Sequence, residues 1–379
     1  KAMSLKVTDL QSGDARAVYK NSGMDMRTYK RLQMFVHAEK LIDDKTNLRD
    51  GDVSVFLRLG SDSKSNYYEY EVPLSLTEPG NYSTYNAQDQ EAVWPQSNMF
   101  DFPLSLFTDL KLERNAKKRM DNSTVTFQTR YSSYDPDKNQ NKVTIVGNPS
   151  LSDVRTMMIG VRNNSNAAKD IVVWVNEMRL TDFDQSGGWA AKANVNLGLS
   201  DIATLNIAGH VETVGFGGID QSLTERRLDD YYQYNIATMV ELGRFLPEKV
   251  KLKAPLFYSI TEQRTSPKYN PLDQDILLKD ALDNAGSKAE RDSISDASIE
   301  KSTVESFSLS FDIRSKNPMP YDPANFSISY SYNRQSKQDP TTEFENTYDY
   351  RGSFTYSYTP FVKPFVPLKG LKSKSKHLK

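Results

Sequence analysis

Residues 306–313 read Ser306-Phe307-Ser308-Leu309-Ser310-Phe311-Asp312-Ile313, and residues 326–332 read Phe326-Ser327-Ile328-Ser329-Tyr330-Ser331-Tyr332. Both alternate a large apolar side chain with a small polar one. A period of two sends successive side chains to opposite faces of a β-strand, so each stretch is a ribbon with one greasy face and one wet face. The alternation extends outward across residues 189–358 in seven segments. Ala191, Val195 and Leu199 oppose Lys192, Asn194 and Asn196; Leu205 and Ile207 oppose Asn206 and His210; Tyr232, Ile236 and Val240 oppose Gln233 and Asn235. Val250, Leu252, Leu256 and Tyr258 oppose Lys251, Lys253 and Ser259, and after the two quoted stretches Tyr350, Phe354 and Tyr356 oppose Arg351, Ser353 and Thr355.

The connections alternate in length. Ser200-Asp201, residues 244–249 and residues 315–324 are short, whereas residues 215–230, 263–303 and 335–349 are long. Tight turns on one side, long loops on the other and strands of roughly ten residues are the habit of an outer-membrane barrel. A soluble sandwich whose apolar face packs on a second sheet fits the same pattern.

Lys and Arg total 48 against 49 Asp and Glu, so no net field recruits nucleic acid. Hydrophobic residues make up 37% and no run is long enough for a membrane-spanning helix. Barrel strands need only half as many apolar residues, so this leaves a membrane open. The 21 Tyr and 17 Phe suit aromatic girdles at a bilayer interface, and equally suit ordinary strands. Cysteine is absent, which excludes disulfides, thiolate catalysis and Cys-based metal sites. Neither an initiator Met nor an apolar signal core opens the chain, and residues 361–379 read as a turn and basic tail with no closing strand. Seven strands with open edges are expected to be an arc of a longer protein.

Residues 1–186 have a different texture. Residues 29–42 fit a strand or a short helix, and residues 52–59, 67–74, 125–131, 143–146 and 156–161 read as strands, with Pro73 placing the second near an edge. Residues 171–175 are apolar on both faces and should form a buried central strand. Residues 102–120 are the helix candidate, with Pro103 in the first turn and a solvated basic end at Arg114, Lys117, Lys118 and Arg119. The expectation is a β-rich soluble domain, jelly-roll-like, carrying a helix. If the Ser200-Asp201 turn is periplasmic, the domain that precedes the first strand is extracellular. In the last third, Ile276, Leu277, Ala281 and Leu282 fit a short amphipathic helix, and residues 286–301 read as a mobile charged stretch.

Chemistry-bearing motifs are thin. Residues 135–141 offer alternate oxygen ligands but lack the glycine and closing glutamate of a calcium loop, and read as a surface turn. His37, His210 and His377 have no ligand-like spacing, and Gly215-Phe-Gly-Gly218 has neither a following helix nor a phosphate-binding lysine. No nucleophile elbow is present. The chain is expected to be neither an enzyme nor a cofactor or metal binder.

Longer signatures carry more. Leu57-Arg-Leu-Gly-Ser-Asp62, Asn66-Tyr-Tyr-Glu-Tyr-Glu71, Val173-Trp-Val-Asn-Glu-Met-Arg-Leu-Thr-Asp-Phe-Asp184, Gly187-Gly-Trp-Ala-Ala191, Gly215-Phe-Gly-Gly-Ile-Asp220, Leu242-Gly-Arg-Phe-Leu-Pro-Glu-Lys249, Tyr269-Asn-Pro-Leu-Asp-Gln-Asp275 and Pro320-Tyr-Asp-Pro-Ala-Asn-Phe-Ser327 occur in this order along the chain. With them the chain resembles the SprA/Sov family, the outer-membrane translocon of the type IX secretion system of Bacteroidetes, which in gliding relatives also serves motility. The resemblance implies one arc of a very large transmembrane antiparallel β-barrel at residues 187–360, preceded by the extracellular β-rich domain at 1–186. It implies export of folded cargo bearing C-terminal signals. The partners it implies are a PorV-like shuttle barrel, a periplasmic plug protein, the secreted cargo proteins and outer-membrane lipid. Asn194, Asn196, Asn206, Asn235, Ser308, Ser310, Ser327, Ser329 and Thr355 would then face a hydrated lumen. A TonB-dependent or porin-type transporter and a secreted carbohydrate-binding β-protein are the rival readings.

Overall fold

A computed structural model describes residues 2–360 apart from 44, 223, 224, 316 and 317. The basic tail at 361–379 lies outside the described residues. Along the chain run strands β1 (Met3–Leu10), β2 (Ala15–Met24), β3 (Tyr29–Glu39), β4 (Val53–Gly60) and β5 (Tyr67–Pro73), then helix α1 (Ala87–Val93), β6 (Phe100–Pro103) and helix α2 (Ser105–Lys118). They are followed by β7 (Tyr131–Tyr134), β8 (Lys142–Val146), β9 (Val154–Asn163), β10 (Lys169–Phe183), β11 (Ala190–Leu199), β12 (Ala203–Glu212), β13 (Asp229–Glu241), β14 (Leu252–Lys253) and β15 (Pro255–Pro267). The rest is β16 (Tyr269–Asn270), β17 (Asp273–Leu277), α3 (Leu278–Asp283), α4 (Lys288–Ser298), β18 (Glu300–Ile313), β19 (Phe326–Asp339) and β20 (Thr342–Tyr356). The chain is mainly β, and no described helix is long and apolar enough to cross a membrane, which says nothing about strands.

Two compact units emerge: residues 1–187, 217–228 and 267–298 form one, and residues 188–216, 229–266 and 299–379 the other. The first unit is a sandwich of a four-stranded sheet, β1-β10-β3-β6, and a six-stranded sheet, β2-β9-β4-β5-β8-β7. Period-two alternation builds its core. Val53, Val55, Leu57 and Leu59 of β4 meet Leu32, Met34, Val36 and Ala38 of β3, with Ile171 and Val173 of β10, all within 1% of full burial. Aromatic rings fill the centre, where Tyr70 stacks on Phe102 at 3.9 Å and Tyr68 on Phe107 at 4.9 Å. Burying such rings contributes about 1.5–3 kcal/mol each by area alone.

Several expectations need correction here. Residues 29–39 are a strand, because Leu32, Met34, Val36 and Ala38 bury in strict alternation. Pro73 does not mark an edge: β5 pairs with both β4 and β8, and the proline sits at its last residue, where no further ladder hydrogen bond is needed. The helix begins at Ser105, since Pro103 ends β6 opposite Arg31. Residues 125–130 form no strand; pairing starts at Tyr131. Strand β10 is central, but only one of its faces is buried, with Trp174 37% exposed on the other. Residues 288–298 are a helix rather than a mobile stretch.

The second unit is one sheet ordered β11-β12-β13-β15-β18-β19-β20, every neighbour following the last along the chain, with β14 paired to β18. It is an up-and-down meander, and it does not close on itself among the described residues. Residues 248–250 form a 3-10 turn instead of the start of a strand, so Val250 leaves the fourth ribbon, which begins at Pro255. The expected long loop at 335–349 is instead paired strand, with β19 and β20 in register from Phe326↔Tyr356 to Asp339↔Thr342. At the Ser200-Asp201 turn Ser200 takes a left-handed φ of 51°, and Asp201 pairs with Arg244 at 2.8 Å.

Candidate functional site

The register of the meander decides what shares a face. Phe307↔Tyr332↔Tyr350, Leu309↔Tyr330 and Phe311↔Ile328↔Phe354 stand in rows across β18, β19 and β20. Val195↔Ile207↔Ile236 and Leu197↔Leu205 do so across β11, β12 and β13. These apolar rows are uncovered: Val195 is 48% exposed, Ile328 50%, Tyr350 62% and Phe354 66%. A monomeric soluble protein rarely leaves a contiguous apolar patch of this extent in water. On β11 the apolar set runs from Ala191 to Leu199, about 26 Å along the strand at 3.3 Å per residue.

The opposite face collects all nine residues singled out from the sequence. Asn196 pairs with Asn206, Asn194 with Ala208, and Ala208 with Asn235. Ser308 pairs with Ser331, Ser310 with Ser329, and Ser327 with both Asp312 and Thr355. Hydroxyls and amides satisfy one another across strands: Ser329 and Ser353 share a hydrogen bond of 2.7 Å, and Asn235 donates to Thr261 at 2.7 Å. His210 lies on this face beside Glu212, at 3.0 Å. The result is a face of mostly small polar side chains, with Lys192, Glu212, Asp312 and Arg351 as charged members. Val304, Phe257 and Met239 are apolar exceptions on this face, paired with Thr261, Ser308 and Thr204.

Sequence reading missed the charged structure of the sandwich unit. Lys111 on α2 is fully buried and its ammonium donates to Asp275 at 2.8 Å, to the Pro149 carbonyl at 2.8 Å and to Asp273. Asp275 also accepts from the Tyr68 hydroxyl at 2.6 Å and from Leu151 N–H at 3.1 Å. Burial pushes the Asp273 carboxyl above its usual range against the pull of Lys111, and burial beside Asp275 pushes the Tyr68 phenol well up. Arg114, expected at a solvated helix end, is instead wholly buried and donates to the Gly147 carbonyl. Arg119 does reach the surface, and it bonds Glu290 of α4 at 2.8 Å. Residues 267–298 are thus part of the sandwich, pinned by ion pairs that the Tyr269–Asp275 signature carries.

A second charged cluster covers the outer face of the six-stranded sheet. Glu69 is buried beneath Arg58, Arg130 and Arg162, and Phe56 lies under two of those guanidinium groups at 5.0 and 4.9 Å. Burial works to raise the Glu69 carboxyl, but the three arginines outweigh it and hold it below its ordinary value. Asp135, read as the start of a surface turn, is 2% exposed and accepts from the Tyr70 hydroxyl at 2.6 Å. Among the described residues no three His, Asp or Glu side chains converge as a metal site would require.

Residues 1–282 match the model of the SprA N-terminal family, described as motility related/secretion protein. No curated protein matches the chain.

Proposed function

The chain belongs to the SprA family of motility-related secretion proteins, and on that premise we propose that it supplies part of an outer-membrane pore exporting folded proteins through the type IX secretion system. One observation carries the reading: the apolar rows of the meander are in register across its strands and stay exposed among the described residues. Lipid is the cover that needs no hydrogen-bonding partner from the strands and leaves their ladders intact. The Asn and Ser face then lines the duct, and β11 and β20, the edge strands among the described residues, are where neighbouring strands of a barrel would pair.

The sidedness follows from connectivity. Every passage between the two units, at residues 187/188, 216/217, 228/229, 266/267 and 298/299, lies at the same ends of the antiparallel strands: the start of β11, β13 and β18 and the finish of β12 and β15. The opposite ends carry the Ser200-Asp201 turn and the connections 242–254 and 314–325, and the two-residue turn at 340–341 is a short connection at the same ends as the passages. In outer-membrane barrels long excursions are extracellular and short turns periplasmic, so the sandwich unit belongs outside the cell. The duct wall offers neither a greasy patch nor a dense ring of charge, which suits cargo that must slide rather than bind. The partners of this reading are a PorV-like shuttle barrel, a periplasmic plug protein, the cargo and the surrounding lipid.

The test is membrane flotation of the full-length protein, combined with a cysteine scan. Cysteines placed at Ser310 and Ser329 should react with a membrane-impermeant maleimide, while cysteines at Phe311 and Ile328 should react only after detergent extraction. A protein that stays in the soluble fraction, or labels identically on both faces, defeats the proposal.

A further inference from the structure

The apolar face of the meander ends along a sharp line. Moving along β15 toward Pro267, Leu256, Tyr258 and Ile260 give way on the same face to Glu262, Arg264 and Ser266. Moving along β13 toward its start, Ile236 gives way to Tyr234, Tyr232 and Asp230. The neighbouring strands change at the same level, where Glu305 stands opposite Arg334 and Arg334 opposite Tyr348. Tyrosines bridge the line, with the Tyr234 hydroxyl donating to Glu262 at 2.9 Å and that of Tyr258 to Glu305 at 2.8 Å.

At this line Asp230, Tyr232, Tyr234, Glu262, Arg264 and Ser266 line an open cavity of about 490 Å³. Two half-exposed tyrosine rings, two carboxylates, one guanidinium and one hydroxyl form the donor and acceptor set that sugars use: rings against the C–H face, carboxylates accepting from hydroxyl pairs, a guanidinium donating to ring or acidic oxygens. Ile236 and Ile260 are the next residues on the same face of β13 and β15 beyond the cavity lining. A single amphiphile would therefore fill both, its headgroup in the cavity and its acyl chains along the rows.

We infer that this cavity binds the saccharide headgroup of a membrane lipid, fixing the depth of the sheet in the bilayer. The inference rests on the reading that the apolar face meets lipid. Full-length protein is extracted in detergent and mixed with three probes: rough-type lipopolysaccharide, its deacylated core oligosaccharide, and phosphatidylethanolamine vesicles. Wild type should retain lipopolysaccharide at least tenfold more strongly than Glu262→Gln/Arg264→Ala, with phosphatidylethanolamine uptake the same in both. Ser266→Trp, which fills the cavity without removing a charge, should lose retention to a similar degree. Variants are compared only where heat-modifiable gel mobility matches wild type. Equal retention by wild type and both variants overturns the site, and deacylated oligosaccharide binding as tightly as the intact lipid overturns the choice of a lipid ligand. A wild-type protein that takes up no lipid of either kind overturns the membrane reading itself, a distinct result.

Discussion

The two sheets that contain β4 and β18 obey the same rule and meet opposite fates. In the sandwich, Val53, Val55, Leu57 and Leu59 alternate with Ser54, Phe56 and Arg58, and the apolar set is buried to 1% or less. In the meander, Phe307, Leu309, Phe311 and Ile313 alternate with Ser308, Ser310 and Asp312, and the rows they join stay open. Alternation tells which side chains share a face; it does not tell what covers that face. The discriminating signal sits on the wet side. The sandwich's outer face carries Glu69, Glu71, Arg58 and Arg162, long groups that neutralise one another where little water reaches them. The meander's wet face carries short serines and asparagines that leave room for water.

The contrast can be broken by substitution. The largest effect is expected for Lys111→Ala, which strands Asp273 and Asp275 in the core and should cost about 3–5 kcal/mol, read as a drop in the denaturation midpoint of the sandwich's signal. Ile328→Arg should cost about 2–4 kcal/mol of barrel stability if that row sits near the bilayer midplane, whereas in a water-exposed sheet it would cost almost nothing; urea titration in liposomes separates the two. Tyr68→Phe removes a hydrogen bond to a buried carboxylate and should cost about 1.5–3 kcal/mol. Acid should act on the sandwich through Glu69. Its folded carboxyl lies below the ordinary glutamate range, so its contribution is whole above about pH 4.3 and is lost as pH falls through the lower folded value. Hydrogen exchange at the β4 and β5 amides should therefore accelerate in that window, and Glu69→Gln should remove the dependence. The smallest effect is expected for Ser329→Arg, within about 0.5 kcal/mol, because its face is wet; a loss equal to that of Ile328→Arg in heat-modifiable gel mobility would undo the assignment of faces.

Much of this architecture was legible in the residues. The six best ribbons of the meander and β4, β5, β8 and β9 follow from alternation alone. Strand β2 escaped because Ala15-Arg-Ala-Val-Tyr-Lys20 is an exposed edge with little apolar pattern to detect. The extension of β19 and β20 through residues 335–349 escaped because Arg334, Ser336 and Lys337 are polar on both faces there. The ionic core of the sandwich could not be read at all, since Lys111 and Asp275 lie 164 residues apart and the Tyr269–Asp275 signature gives no sign of its distant partner. Burial of charge is a property of the partners a fold brings together, and a sequence shows only one partner at a time.

That separation sets an order of assembly. When a ribosome has delivered the first 187 residues, the ammonium of Lys111 still lacks its carboxylates, which arrive only after β11, β12, β13 and β15 have been made. Closing a contact over so long a stretch is entropically late and kinetically slow. The ionic core of the sandwich unit is complete only once those four strands exist, so a chain stalled within the meander carries a sandwich whose Lys111 has no carboxylate partner.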